Sequence, residues 1–458
     1  LVEAVGHAVK ARDWGTASTI VVEDYGIGRL VLGGRAQGLG ALLQHLPDDL
    51  EEVGPALVTA ALALADGSVD RCAHHMSRAH ELIDRHRTDQ SHAAAVGDRV
   101  LGVLLAAARD DQAQVLDLMS SAEAALAGAP PEQLTRRPEL RLLMLAAKGL
   151  AQSRLGEVDA ATVTLTEATA VDSTGCEYTR IDCLQHLALL EAHRGRLGHA
   201  ERLATEAIDL AERYGSEAQR RPLGAHLALA WVAIERYDVD TAGRHLRAAD
   251  PKRVPSAEGL VGVAFALVKS RRLQARGELR GALNLLDETT APTGRPAPEW
   301  LVREVVLSRA KLLIVMGQPQ EALAAVRRFP EPCPPDVVVV LAASLTALSR
   351  PEPAREAILP IIGAAGLDRP VAVDAWLVMA TIAAQLGEVD NAREALRHAL
   401  RYAAPEAQRR AVQQVWAQLR RLLRDDDGLI EQYRALQGNT GAAPATHHGV
   451  QVPDQGRF

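Results

Sequence analysis

Apolar residues recur at intervals of three and four through most of this chain, the spacing that lines up one face of an α-helix. Residues 178–215 show the rhythm best. Ile181, Leu184, Leu187, Ala188 and Leu190 form a stripe on a first helix predicted over residues 178–194. A second helix is predicted from His199, with Leu203, Ala204, Ala207, Ile208, Leu210 and Ala211 on its apolar face, and Gly215 suits a left-handed cap at its end. Alternating β-branched runs, the mark of strands, are scarce. Residues 337–340 are four valines, but they lead straight into a helical pattern at 341–348.

One short turn signature punctuates these helices. A helix breaker is followed two positions on by an apolar residue or proline, and five on by a small residue. The breakers and small residues are Gly156 and Ala161, Gly195 and Ala200, Tyr237 and Ala242, Gly277 and Ala282, Gly317 and Ala322, a degenerate Ser349 and Ala354, and Gly387 and Ala392. Successive spacings are 39, 42, 40, 40, 32 and 38 residues. A period in that range predicts a solenoid of stacked helical hairpins, since no single hairpin can bury its apolar face alone. The small residue sits where the second helix must pass close against the first, with axes about 8–10 Å apart. The predicted fold is therefore all-α, a right-handed superhelix of tetratricopeptide-like hairpins.

Outside the periodic stretch the pattern changes. Gly67 with Cys72 fits the signature well and Arg12 with Ala17 loosely, while the chain between is rich in glycine. Residues 1–135 are thus expected to be irregular opening repeats and 136–437 regular ones. Residues 438–458, with Gly, Ala, Pro and Thr and no apolar period, are expected to form a disordered linker. Leu1 falls inside helical pattern, which predicts a piece of a longer protein.

Composition narrows the classes. Of the 458 residues 48% are apolar but only 3% aromatic, with Ala and Leu dominant, which is helix-former chemistry. The net charge of −7 is spread along the chain and gives no basic footprint for nucleic acid. The four cysteines form no CxxC pair and read as free thiols of a reducing, cytoplasmic setting. No 18-residue apolar run predicts a membrane span. No serine elbow, isolated carboxylate pair or metal-ligand spacing points to catalysis, so no enzymatic role is expected. The glycines of Gly26-Ile27-Gly28 follow no strand and carry no nucleotide-binding meaning.

The opening phrase His7-Ala8-Val9-Lys10-Ala11-Arg12-Asp13-Trp14-Gly15-Thr16-Ala17, followed by Ala41-Leu42-Leu43-Gln44-His45-Leu46-Pro47, resembles the entry to the sensor region of MalT-like regulators. These are large ATP-binding, LuxR-type transcription activators in which repeats of about 40 residues come next, as the apolar rhythm of residues 203–211 illustrates. The resemblance spans residues 1 to about 436. It implies a region that binds a small inducer or an inhibitory partner protein and controls ATP-dependent self-assembly of the full-length regulator, whose C-terminal helix-turn-helix then binds DNA. No GxxxxGK[ST] loop occurs in this segment, so ATP is expected only in a preceding module, and no cofactor or direct nucleic-acid contact is assigned here.

A sensor needs a pocket, and first helices usually line the concave wall of such an array. Seventeen residues before their turns stand Tyr178 and Trp300; thirteen before stand Asp182, Glu304 and Asp374. Tyr178 with Asp182, and Trp300 with Glu304, are i, i+4 pairs on one helical face. A ring beside a carboxylate suits a neutral sugar: the ring covers the C–H face and the carboxylate accepts hydroxyl hydrogen bonds. Gln185, His186, His226, Trp231 and Arg303 complete the candidate ligand-binding set. A malto-oligosaccharide or a glucose disaccharide is the leading candidate ligand. Two competing readings stand beside this one. Aromatic residues at helical spacing also pack between repeats, and carboxylates near a helix start also complement its dipole. The other histidines, including His74, His75, His80, His199 and His245, are expected on the surface. The pairs Arg271-Arg272, Arg409-Arg410 and Arg420-Arg421 are expected as solvated helix faces. The rival function is a scaffold that takes a peptide or partner helix in its groove.

Overall fold

The computed structural model describes residues 1–33, 38–86, 91–172, 175–214, 222–250, 259–289, 297–424 and 426–438. Among them every regular element is a helix and no strand occurs. The cap expected at Gly215 and the linker expected beyond Gly438 lie outside the described residues.

The chain opens with α1 (Val2–Lys10) and α2 (Trp14–Glu23), then two short helices, α3 (Ile27–Gly33) and α4 (Gly38–Leu42). Hairpins follow: α5 (Val53–Ala65) with α6 (Val69–His86), α7 (His92–Ala108) with α8 (Gln112–Ala127), and, after α9 (Pro131–Arg136), α10 (Pro138–Arg154) with α11 (Val158–Thr169). Next come α12 (Glu177–His193) with α13 (Leu197–Tyr214) and α14 (Leu223–Glu235) with α15 (Val239–Ala248). Then come α16 (Leu260–Ala275) with α17 (Leu279–Thr289) and α18 (Glu299–Val315) with α19 (Pro319–Val326). The last pairs are α20 (Pro335–Ala347) with α21 (Pro351–Ile358) and α22 (Arg369–Gln385) with α23 (Val389–Ala403), before α24 (Arg410–Leu419) and α25 (Asp427–Gln437). The four valines at 337–340 are helical, because Pro334 and Pro335 start a helix whose buried stripe includes Val337, Val339 and Val340.

The turn signature has a backbone cause. At ten joints the turn residue takes positive φ: Arg12, Gly67, Asp110, Gly156, Gly195, Tyr237, Gly277, Gly317, Ser349 and Gly387. The next N–H then reaches back to a carbonyl of the first helix, as from Glu157 to Gln152 (2.9 Å) and from Gln318 to Leu313 (2.8 Å). This bond closes a helix through its own main chain, whatever the side chain. Glycine enters the left-handed region without strain, which explains its frequency here. The joint at Asp110 was not foreseen, since it has no glycine and places Val115 at the small position. It closes the same way, Asp111 N–H to Ala106 at 3.1 Å.

Five residues past the turn, Ala161, Ala200, Ala242, Ala282, Ala322, Ala354 and Ala392 are each fully buried. Ala282 lies so close to the first helix that the Ser270 hydroxyl donates to its carbonyl at 2.9 Å. The alanine therefore lets the axes approach, as the spacing predicted.

By its internal contacts the chain forms two compact units. One holds Leu1–Ile234 with Asp238–Arg328; the other holds Glu235–Tyr237 with the chain from Phe329 onward. In the first, a continuous core runs from Leu142 to Leu312, and a second cluster joins α2, α5 and α6 through Val21, Leu57 and Leu82. In the other, Leu377, Leu396, Leu400 and Leu429 centre the core. All four cysteines are free, and burial raises the thiols of Cys72 to about 11 and Cys183 to about 12.

Candidate functional site

Four first helices of the first unit, α12, α14, α16 and α18, bring side chains to one point. The His193 ring at the end of α12 lies 4.7 Å from that of Trp300 on α18 and 6.2 Å from that of Trp231 on α14, centroid to centroid. The two indoles are 6.5 Å apart. Over Trp231, at 4.6 Å, sits the Arg271 guanidinium from α16. Arg271 in turn pairs with Glu304 of α18, whose other oxygen lies 3.8 Å from His193 Nδ1. Ser308 Oγ is 3.4 Å from Arg271 Nη2.

The contact between α12 and α18 defines the curvature. These helices are three hairpins apart, and a straight row with neighbours about 8–10 Å apart would hold them well beyond side-chain reach. Their rings touch. The row therefore bends with its first helices inward, and the cluster sits on that inner side.

Burial is deep. Trp300 is 1% exposed, Trp231 2% and Arg271 4%. A guanidinium removed from water needs a carboxylate and an aromatic face, and Glu304 and Trp231 supply both; a desolvated cation–π contact contributes about 2 kcal/mol. One group is left over: Trp300 Nε1 is buried with no hydrogen-bond partner. Leaving such a donor unmet costs about 1–3 kcal/mol.

Of the residues predicted from sequence, Trp231, Trp300 and Glu304 meet in this cluster. Arg303 is half-buried on the same helix. The equivalent positions on α12 have other tasks. Tyr178 packs against the apolar core. Asp182 accepts from Gln185 Nε2 at 2.8 Å, and Gln185 Oε1 accepts the Gly224 N–H at 3.1 Å, capping the start of α14. A methyl at Gly224 would meet that Gln185 oxygen at 3.0 Å, so glycine is what admits the cap. The His186 Nδ1–H donates to the Asp182 carbonyl at 2.8 Å, while burial holds the ring below its ordinary pKa. His226 faces His245 of α15, Nδ1 to Nδ1 at 3.4 Å. Burial first, then the neighbouring His245, push the His226 pKa down to about 4; burial and Arg244 lower that of His245.

Three expectations are corrected. Arg271 is not on a solvated face: the inward curvature buries it between Trp231 and Glu304. Arg410 is buried at 8% exposure and bonds Glu235 Oε1 at 2.8 Å. His75 is buried at 4%, held below its ordinary pKa chiefly by that burial.

The reading from sequence missed His193 and Arg271. A signal for Arg271 existed: it stands six residues before Gly277, as Trp231 stands six before Tyr237. Equal offsets in adjacent hairpins put side chains side by side. His193 had no such mark.

Two further clefts lie along α6. One, of about 330 Å³ between α6, α7 and α8, has Met76 and Leu105 on its walls and His80, Asp98, Arg99 and Arg109 around it. The other, of about 310 Å³, includes His74, Arg78 and Glu81. Among the described residues no group of three or more His, Cys, Asp or Glu is placed to hold a metal ion, and no helix is long and apolar enough to cross a membrane.

Stacked helical hairpins joined by left-handed turns, with a small residue at most crossings, define a tetratricopeptide-like repeat region. The family described as "MalT-like TPR region" matches residues 101–427, and the chain belongs to that family. Similar solved structures include a Rap protein complexed with competence and sporulation factor, at 14% identity and TM-score 0.47, covering 84% of this chain and 100% of that one. The Cut9–Hcn1 hetero-tetramer of the APC/C aligns at 12% identity and TM-score 0.42, covering 94% and 84% respectively. Yeast Tom70 aligns at 13% identity and TM-score 0.34, covering 94% and 97%. No curated protein matches the chain.

Proposed function

We propose that this chain is the effector-sensing region of a MalT-like transcription regulator. It takes a small polar inducer, a neutral sugar or short oligosaccharide, on the inner side of its first helices. The observation that carries this reading is the meeting of two indoles, a carboxylate and a guanidinium from separate hairpins, with the Trp300 N–H lacking an acceptor. The rings offer apolar faces for sugar C–H groups, Trp300 Nε1 donates to a hydroxyl oxygen, and Glu304 accepts from hydroxyls. The Glu304 charge is balanced by Arg271, so a neutral ligand fits better than an ion. Binding favours one curvature only if the ligand prefers that conformation, and a tenfold bias requires about 1.4 kcal/mol. Calorimetric titration with maltotriose, maltose and trehalose tests the site. Saturable heat with the unmodified chain and none with Trp300→Phe, which keeps a ring but loses the N–H, supports it. No heat with any sugar overturns it.

The cleft between α6, α7 and α8 favours a second reading, a scaffold for a peptide or partner protein. It joins an apolar wall to charged residues, unlike the filled inner cluster. Mutating Arg99 and Arg109 would then abolish partner binding and leave any sugar heat unchanged.

A further inference from the structure

Hairpins in a solenoid normally touch only their neighbours, so the curvature of the row is soft unless something ties distant hairpins together. Here a tie exists. His193 ends α12, and its ring rests against Trp300 three hairpins on, while its Nδ1 lies 3.8 Å from Glu304. Arg271, between them in sequence, holds Glu304 from the second side and stacks on Trp231 from the third. A single polar cluster thus joins α12, α14, α16 and α18. A second approach runs beside it: a methyl placed on Gly156, at the joint of α10 and α11, would lie 3.5 Å from Glu299 in the first turn of α18.

We propose that Arg271, Glu304 and His193 form a pin that keeps this row wound, and that the effector binds only when the pin is released. Three observations support this. The tie is polar, and a buried ion pair recovers little beyond what its desolvation takes away, so its bonds can be exchanged for those of a ligand. The cluster fills the space where a sugar would sit, leaving the Trp300 rim with 1% exposure. The wound arrangement also keeps an unmet donor at Trp300 Nε1, which an incoming oxygen satisfies. Binding and unwinding are then one event: hydroxyl groups take over Glu304 and Trp300 as α12 parts from α18. The ligand half of this inference rests on the sensing function proposed above; the pin itself does not.

The test is hydrogen exchange read by mass spectrometry on the whole chain, unmodified and as Arg271→Met and His193→Ala. Arg271→Met keeps the stem over Trp231 and removes the charge; His193→Ala removes the bridge from α12 and leaves the ion pair in place. A pin predicts that amides in the last turn of α12 and the first half of α18 exchange at least tenfold faster in both variants, with clearly smaller increases at α5 and α6 and none at α22 and α23. Unchanged protection at α12 and α18 in a variant that folds overturns it, and an equal increase at α5 and α6, being general destabilisation, overturns it too. The same proteins are then titrated with maltotriose. Because a ligand's apparent affinity is reduced by the fraction of the competent state, release of the pin raises affinity at least fivefold. Local opening without sugar binding in any protein retains the pin and removes the sugar sensor. Sugar binding with equal affinity in all three and no local opening removes the pin and retains the sensor.

Discussion

The two compact units use their aromatic residues in opposite ways. In the first, Trp231 and Trp300 meet across hairpins, with His193 bridging from a third helix. In the second, Trp376 of α22 stacks on His398 of α23, its own partner helix, at 4.1 Å and 10° between planes. Trp416 of α24 likewise stacks on Tyr433 of α25 at 4.0 Å. The charges do not divide this way: Arg271 is buried against Glu304 in one unit and Arg410 against Glu235 in the other, while Arg397 bonds Asp426 at 2.5 Å with its side chain 34% exposed. One unit spends its scarce aromatics on joining distant hairpins, the other on closing neighbouring ones. The second unit's long-range tie is instead the buried Arg410–Glu235 pair, and among the described residues aromatic contact between distant hairpins falls to His193, Trp231 and Trp300 of the first unit.

Removing those residues gives the largest effect. Trp300→Ala should destabilise the first unit by about 3–5 kcal/mol in urea unfolding, and the half-buried Trp376→Ala should destabilise the second by clearly less. Equal losses would mean that joining distant hairpins adds nothing. Arg271→Met should cost about 3 kcal/mol, because it takes the guanidinium from a Glu304 side chain only 14% exposed, against about 0–1 kcal/mol for Arg397→Met. At the helix crossings the units should behave alike. Ala282→Phe and Ala392→Phe each overpack a fully buried site and should cost about 1–3 kcal/mol by the same measurement.

The smallest effect is on pH dependence. The folded pKa of His226 lies near 4, below its ordinary value of 6.5. Between those values the unfolded chain binds a proton that the folded chain does not. Stability is therefore full above about pH 6.5 and falls as pH drops toward 4. His226→Phe should flatten that slope in thermal melts recorded from pH 7.5 to 4.5. An unchanged slope would assign the acid sensitivity to other groups.

The fold was legible because its cause is local and repeats: each joint needs one backbone conformation and most carry one small side chain, and both leave marks at fixed offsets. Where the marks were replaced, at Asp110 and Val115, the joint was overlooked, although the main chain closed it regardless. The site was legible only in part. Trp300 and Glu304 stood out as an i, i+4 pair, but Tyr178 and Asp182 form the same pattern, and there Tyr178 packs on the core while Asp182 holds the amide of Gln185, which caps α14. A pattern along one helix fixes which side chains share a face. Which faces then meet depends on the angles between hairpins summed over three joints, and no spacing records that sum. Arg271 was misplaced for this reason: its face reads as polar and becomes interior only after the row bends.

The main-chain closure at the ten joints has a mechanical consequence. Each hairpin is locked at its bend by a hydrogen bond that side-chain substitutions leave in place, so it moves as a stiff lever. Deformation then falls to the sliding contacts between one lever and the next, where a shift too small to break any single contact is added again at every step.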